Sequence, residues 1–192
     1  MPSVRVLQWI IIGIVLIGVG GFPRIEKLEI KQEIRQLSAE SVYDVLRTPQ
    51  KAGYLQPLVT HVEILDSSEE AQCSYYYSIT ESIPLLGAWS IESTAYIRLR
   101  AEKLSAESFI VRNSVAMGSS IWAKLFFSME QSFEISSCAI ESSNAQYPHC
   151  VLLVDTMIIR APTFLLPFIS HTARFAHQRL LSSIESKILA SQ

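Results

Sequence analysis

A surplus of charge of one sign is missing from this sequence. Its 192 residues carry 16 Lys and Arg against 18 Asp and Glu, a net charge of −2, which excludes the basic surface that a nucleic-acid partner requires. Cysteine is scarce, and Cys73, Cys138 and Cys150 are odd in number and form no CxxC pair. They read as small buried hydrophobes and not as a disulfide framework. Neither Asn113 nor Asn144 lies in an N-x-Ser/Thr sequon, which agrees with a domain that never enters the secretory lumen. Catalytic signatures are absent too: no HExxH, no G-x-S-x-G, no Walker lysine, and no GxGxxG outside the apolar N-terminus. His171 and His177 stand six apart on a helical stretch, about 120° from a shared face, which argues against a common metal. His149 and Cys150 are strand neighbours and point to opposite faces. His61, with Val59 and Val62 beside it, reads as a satisfied or exposed strand histidine. No cofactor, no metal site and no catalytic residue is expected from these patterns.

What is present is apolar patterning. Val6 to Phe22 is apolar except for Gln8 and would span roughly 25 Å as a helix. It reads as an uncleaved single-pass membrane anchor, with Trp9 and Phe22 at the two interfaces. Arg5 on one side faces Arg24, Lys27, Lys31 and Arg35 on the other, so the positive-inside rule expects the domain in the cytosol, as on the endoplasmic reticulum. Two rivals remain on the same residues: a cleaved signal peptide ending near Gly18-Val19-Gly20, and a mitochondrial presequence, since no acid precedes Glu26.

The remaining chain, about 165 residues, is large enough for one domain with a real core. Arg24 to Leu37 alternates charged and apolar residues and predicts a strand, although Gln32 breaks the pattern and leaves helix open. Ser38 reads as an N-cap, with Leu37 and Val42 as a hydrophobic staple, and Pro49 ends the short helix that follows. Lys51 to Gln56 can hold a second helical turn. From Leu58 to Arg160 the pattern is strand throughout, with polar connections. Trp89, Ile91, Ala95, Ile97 and Leu99 share one face of a strand, and Phe109, Val111, Asn113 and Val115 share one face of the next. Leu125, Phe127, Met129, Phe133 and Ile135 follow on one parity. Cys150 to Arg160 is apolar on both parities and is expected to be covered on both faces. From Leu165 an apolar stripe through Phe168, Ile169, Ala173, Ala176, Leu180, Ile184 and Ile188 predicts one long helix, which must lie on the strands. The expected division is an anchor over 1–23 and one domain over 24–192, with two short helices near 38–56, strands over 58–160 and a long helix over 164–190.

This element order resembles the START-like superfamily of helix-grip, polyketide-cyclase-like (SRPBCC) domains. The resemblance runs from about Lys27 to Leu189. It rests on that order and on the segments Leu37-Ser-Ala-Glu-Ser-Val-Tyr-Asp-Val-Leu46 and Pro57-Leu-Val-Thr-His-Val-Glu-Ile-Leu65. It implies an α+β fold, a curved antiparallel sheet of about six to seven strands around the terminal helix, with a cavity between them. Members mostly bind hydrophobic small molecules such as lipids, sterols, quinones and polyketides, and a minority catalyse reactions on them. On this resemblance the cavity is expected to be lined by Tyr75, Tyr77, Ile91, Ala95, Ile97, Phe109, Val111, Asn113, Val115, Leu125, Phe127, Met129, Phe168, Thr172, Ala173 and Ala176.

From the residues themselves, small Thr172, Ala173 and Ala176 in mid-stripe favour a cavity, whereas Tyr75, Tyr77 and Phe127 could fill the same space. Asn113 falls on an apolar parity, so its amide either pairs with backbone, lies at a bulge, or orients a ligand's polar group. The parity of Asp155 is ambiguous. The expected function is membrane-anchored binding or transfer of a hydrophobic small molecule. The competing expectations are a cyclase or hydrolase using Asn113, Asp155 or a tyrosine, and an interaction module with a filled core. No oligomeric state is indicated.

Overall fold

The period-two alternation of the middle of the chain is realised as a single antiparallel sheet. In a computed structural model of the chain, residues 22–56, 58–68, 73–84, 90–117, 127–138 and 150–189 are described. They form β1 (Pro23–Arg35), α1 (Ala39–Leu46), α2 (Pro49–Leu55), β2 (Val59–Ser68), β3 (Cys73–Pro84), β4 (Ser90–Lys103), β5 (Ser108–Met117), β6 (Ser128–Ser137), β7 (Cys150–Pro162) and α3 (Leu166–Leu189). The sheet order is β1-β7-β6-β5-β4-β3-β2. Strands β2 to β7 follow one another as a meander. β1 closes onto β7, from Pro23 opposite Pro162 to Arg35 opposite Cys150.

Because β1 and β2 lie on opposite edges, the connection between them must cross the whole sheet. It does so over one face, with α1 against β5 and β6 and α2 against β2 and β3. Gln36 takes a left-handed φ of 72° to turn out of β1. Ser38 then caps α1, its side chain accepting the N–H of Ser41 at 3.2 Å. Leu37 and Val42 are both buried beside this cap, the hydrophobic staple that fixes the entry angle of the chain. Gly53 lets α2 lie close on β2, since an added Cβ would come within 2.5 Å of the Val62 Cγ2. Register shifts in the β2–β3 pair, between Val59 and His61 and again between Ile64 and Asp66, add the local twist by which a sheet curves.

The same face receives α3, which lies mainly along β1, β7 and α2. The opposite face is solvated and carries exposed ion pairs such as Lys31–Glu29 at 3.1 Å, which contribute little to stability. Four expectations need correction. β7 is not covered on both faces. Its inward residues Val151, Leu153, Met157 and Ile159 are buried, while Leu152, Val154 and Thr156 are half-buried and Ile158 is exposed. Lys31 and Glu134 flank Val154 on the neighbouring strands, where long side chains shade it with their stems.

α3 buries Leu180, Ile184 and Ile188 of its expected apolar stripe but departs from it in the N-terminal half. Its N-terminal half buries Leu166, Ser170 and His177, while Phe168 is 65% exposed. The cause is polar: Ser170 Oγ donates to Glu26 Oε2 at 2.6 Å, and His177 meets Asp155. Glu26, on the inward parity of Leu28 and Ile30, therefore serves the helix interface.

The third correction concerns localisation. Among the described residues no helix is long and apolar enough to cross a membrane. The long α3 is interrupted by Arg174, Arg179, Glu185 and Lys187. No described helix supports the single-pass membrane assignment or the cytosolic placement inferred from it, and neither is retained. The run 6–22 on which the anchor, signal-peptide and presequence readings were all based lies, apart from Phe22, outside the described residues.

The cysteines depart from expectation as well. Cys138 and Cys150 are joined in a disulfide, and Cys73 is free. The β6–β7 ladder brings the pair together: the Cys138 N–H donates to the Cys150 carbonyl at 2.9 Å, with Cα atoms 5.2 Å apart. Their sequence separation of 12 corresponds to a constraint on the unfolded chain of about 3 kcal/mol. The double substitution Cys138→Ser/Cys150→Ser is therefore expected to lower stability by about that amount in urea unfolding. Reductant should shift the parent protein equally and leave the variant unchanged. A parent midpoint indifferent to reductant would show that the bond does not form.

Candidate functional site

Every second residue of a strand points to the same face, and on the face that meets α3 polar residues interrupt the apolar runs. Asn113 lies between Val111 and Val115 on β5, Gln131 between Met129 and Phe133 on β6, and Asp155 between Leu153 and Met157 on β7. Glu81 follows Tyr77 and Ile79 on β3. His177 arrives from α3, one turn before Leu180 and Leu181. Gln131, Asp155 and His177 are buried, and Asp155 is 0% exposed. These groups divide the apolar interior in two. On one side are Leu28, Met157, Ile159, Ala161 and Leu166; on the other are Ile34, Val151, Leu153, Ile135, Leu181 and Ile184.

A carboxylate out of contact with water must be hydrogen-bonded, and Asp155 meets that requirement through both oxygens. Oδ2 lies 2.7 Å from His177 Nδ1, and Oδ1 accepts from Gln131 Nε2 at 3.0 Å. A carboxylate can only accept, so His177 carries its proton on Nδ1 and turns that proton toward Asp155. Nε2 is the ring nitrogen that Asp155 does not engage. Gln131 is held the same way: with Nε2 committed to Asp155, Oε1 accepts from Asn113 Nδ2 at 3.1 Å. The chain of bonds ends at Asn113 Oδ1, which is buried and has no partner among the described residues. Burial raises the Glu81 carboxyl above its ordinary value, a rise that attraction to His177 partly offsets.

Of the expected lining residues, Tyr77, Ala95, Ile97, Phe109, Val111 and Val115 are buried in one apolar cluster, where Phe109 stacks on Tyr43 at 4.5 Å. Burial pushes the Tyr77 phenol up. Tyr75 and Met129 are half-buried against this cluster; Phe127, Met129 and Ala173 pack on the other. Thr172 and Ala176 are half-buried on α3, and Phe168 points to solvent. Leu125 and the side chain of Ile91 lie outside the described residues.

Gln131, His177 and Glu81 were missed by the sequence reading, and each had a local signal. Gln131 shares the parity of Met129 and Phe133, and Glu81 that of Tyr77 and Ile79. His177 stands three, four and seven residues before Leu180, Leu181 and Ile184, on the buried stripe of the helix.

Two outcomes follow for solution measurements. His177→Leu strips Asp155 of its imidazole and is expected to cost about 3–5 kcal/mol in urea unfolding; a loss below about 1 kcal/mol would show that the pair is not an energetic unit. An acid whose folded value is raised holds its proton to higher pH in the folded chain, so its contribution to stability falls as pH rises through that raised value. Glu81→Gln should therefore gain stability relative to the parent at neutral pH and lose that advantage in acid, whereas a pH-independent difference would remove Glu81 as the source.

No family model matches the chain, and none of the curated proteins compared with it is similar in sequence. Solved structures do match. The Zhui aromatase/cyclase from Streptomyces sp. R1128 aligns with a TM-score of 0.56 at 12% identity, covering 86% of this chain and 96% of that one. Human STARD10 aligns with a TM-score of 0.56 at 13% identity over 82% of this chain and 62% of its own. A Helicobacter pylori protein, jhp0584, aligns with a TM-score of 0.58 at 6% identity, covering 84% and 87%. At such identities the likeness is one of fold, and it agrees with a seven-stranded antiparallel sheet gripping a C-terminal helix. The chain has the α+β helix-grip fold of the START-like superfamily.

Proposed function

We propose that this protein binds a hydrophobic small molecule between the sheet and the N-terminal half of α3, with the polar residues Asn113, Gln131, Asp155 and His177 forming one end of the site. The observation that carries this reading is the unpartnered, buried Asn113 Oδ1 at the end of a hydrogen-bonded row inside an otherwise apolar interior. A core built only for stability gains nothing by leaving an acceptor dry, since such a group costs about 1–3 kcal/mol. Half-buried Thr172, Ala173 and Ala176 support the same reading, because small side chains on the helix leave room that Leu or Phe would fill. Apolar walls give the affinity, at about 25 cal/mol per Å² buried. The fold also serves an enzyme named as an aromatase/cyclase, which must hold a small molecule.

A second reading, acid–base chemistry on the bound molecule, is favoured by one contact. The Asp155–His177 pair holds an imidazole in a fixed tautomer, as a general base requires.

Organic extraction and native mass spectrometry of the purified chain test the proposal. A co-purifying apolar compound is expected, and Ala176→Trp should lower its occupancy while changing stability by less than the about 1–3 kcal/mol that overpacking costs in a filled core. No bound compound, together with a full overpacking penalty for Ala176→Trp, would leave only an interaction module. If His177→Asn retains the compound in a form chemically different from that held by the parent, the acid–base reading replaces simple binding.

A further inference from the structure

We propose that the molecule bound at this site presents a hydrogen-bond donor, a hydroxyl or an N–H, to Asn113 Oδ1, and that Asp155 dictates this preference from two residues away. The inference rests on the hydrophobic-ligand reading above and narrows it to a class: an apolar body ending in a donor, as in an alcohol, and not one ending only in an ether, ketone or ester.

The reasoning is one of direction. An amide can turn over and exchange its donor and acceptor ends, so a row of two amides has no inherent polarity. Here one end is fixed. Asp155 accepts at both oxygens, from His177 Nδ1 at 2.7 Å and from Gln131 Nε2 at 3.0 Å. Gln131 Nε2 also stands 3.0 Å from His177 Nδ1, two donors converging on one carboxylate. Turning Gln131 over would relieve that contact but set its Oε1 against the charged Asp155 Oδ1, and the charged oxygen decides the direction. Gln131 therefore offers only Oε1 to Asn113, and Asn113 answers with Nδ2 at 3.1 Å. The group left for a ligand is Oδ1, an acceptor. Gln131 and Asp155 are positioning residues; Asn113 is the one that touches the ligand.

A single isosteric change releases the row. In Asp155→Asn the new Oδ1 can accept from His177 Nδ1 while its Nδ2 donates to Gln131 Oε1. Gln131 then turns over, donates to Asn113 Oδ1, and Asn113 offers Nδ2 instead. The preference for a donor disappears although volume and packing are kept.

The isomers 1-decanol and 1-methoxynonane, with decane as the apolar reference, test this by isothermal titration calorimetry on the full chain. In a pocket without a polar partner the ether should bind better, because the hydroxyl loses stronger hydration on entering. We expect the reverse in the parent protein, decanol tighter than the ether by about tenfold. The ratio, and not the affinity, should collapse toward one or below in Asp155→Asn, with circular dichroism confirming the fold. Asn113→Leu should do the same, and the aspartate variant serves alone if the leucine variant does not fold. If all three probes bind the parent with no preference for the alcohol, a hydrophobic site exists and this inference is wrong. If none binds, the hydrophobic-ligand reading fails and this inference falls with it. An alcohol preference that survives unchanged in Asp155→Asn would overturn the assigned polarity.

Discussion

Burial of one carboxylate constrains the rest of the structure. Asp155 is fully covered, and a carboxylate in that position is tolerable only if its lone pairs are met by well-placed donors. The donors come from two other elements, an amide on β6 and an imidazole on α3, and the amide carries the effect on to β5. The helix is thereby registered on the sheet by hydrogen bonds that have one geometry. Apolar contacts alone would tolerate several, because hydrophobic attraction has no direction.

That registration explains why the N-terminal half of α3 does not turn its apolar stripe to the sheet. Setting His177 over Asp155 and Ser170 over Glu26 turns Phe168 toward solvent and carries Leu166, Leu180, Leu181 and Ile184 inward. The C-terminal half of the helix then closes a packed cluster with α1 and α2, with Leu37, Val42, Leu46 and Leu55 as its members from that side. The N-terminal half carries the half-buried residues Ile169, Thr172, Ala173 and Ala176, and Ile169 and Ala173 pack with Phe127 and Met129 on the smaller apolar cluster. Both ends of the interior hold buried apolar clusters, one around Leu153 and Leu181 and the other around Met157 and Leu166. The polar residues mark the border.

The chain's ends are bound into this arrangement by topology. β1 pairs along its whole length with β7, so the first strand is held by the last one before α3. The Cys138–Cys150 bond lies at the far end of the β6–β7 ladder from the start of α3. Asp155 and Gln131 thus stand on two strands tied at one end by a covalent link, which suits groups that must hold a fixed direction of hydrogen bonding.

Local chemistry determined a good deal by itself. The alternation of Ala95, Ile97 and Leu99, and of Phe109, Val111 and Val115, named the strands and their buried faces, because a strand's side-chain period is a property of its own backbone. Ser38 with Leu37 and Val42 marked the helix start for the same reason, since a cap is closed within one turn. These local signals, in their order along the chain, were enough for the helix-grip fold to be read. Asn113 was legible as an inward amide.

What the amide meets was decided only by tertiary structure. Its partners follow in steps of 18, 24 and 22 residues, from Asn113 to Gln131, to Asp155 and to His177, separations at which composition and periodicity carry no information about contact. The side that Asp155 takes on a strand apolar on both parities, the turn of the N-terminal half of α3 about its axis, the partner that Glu26 meets, and the pairing of Cys138 with Cys150 belong to the same class. Each depends on which distant strand lies alongside, and a polar group's partner, unlike a hydrophobic face, has to be one particular atom in one particular direction.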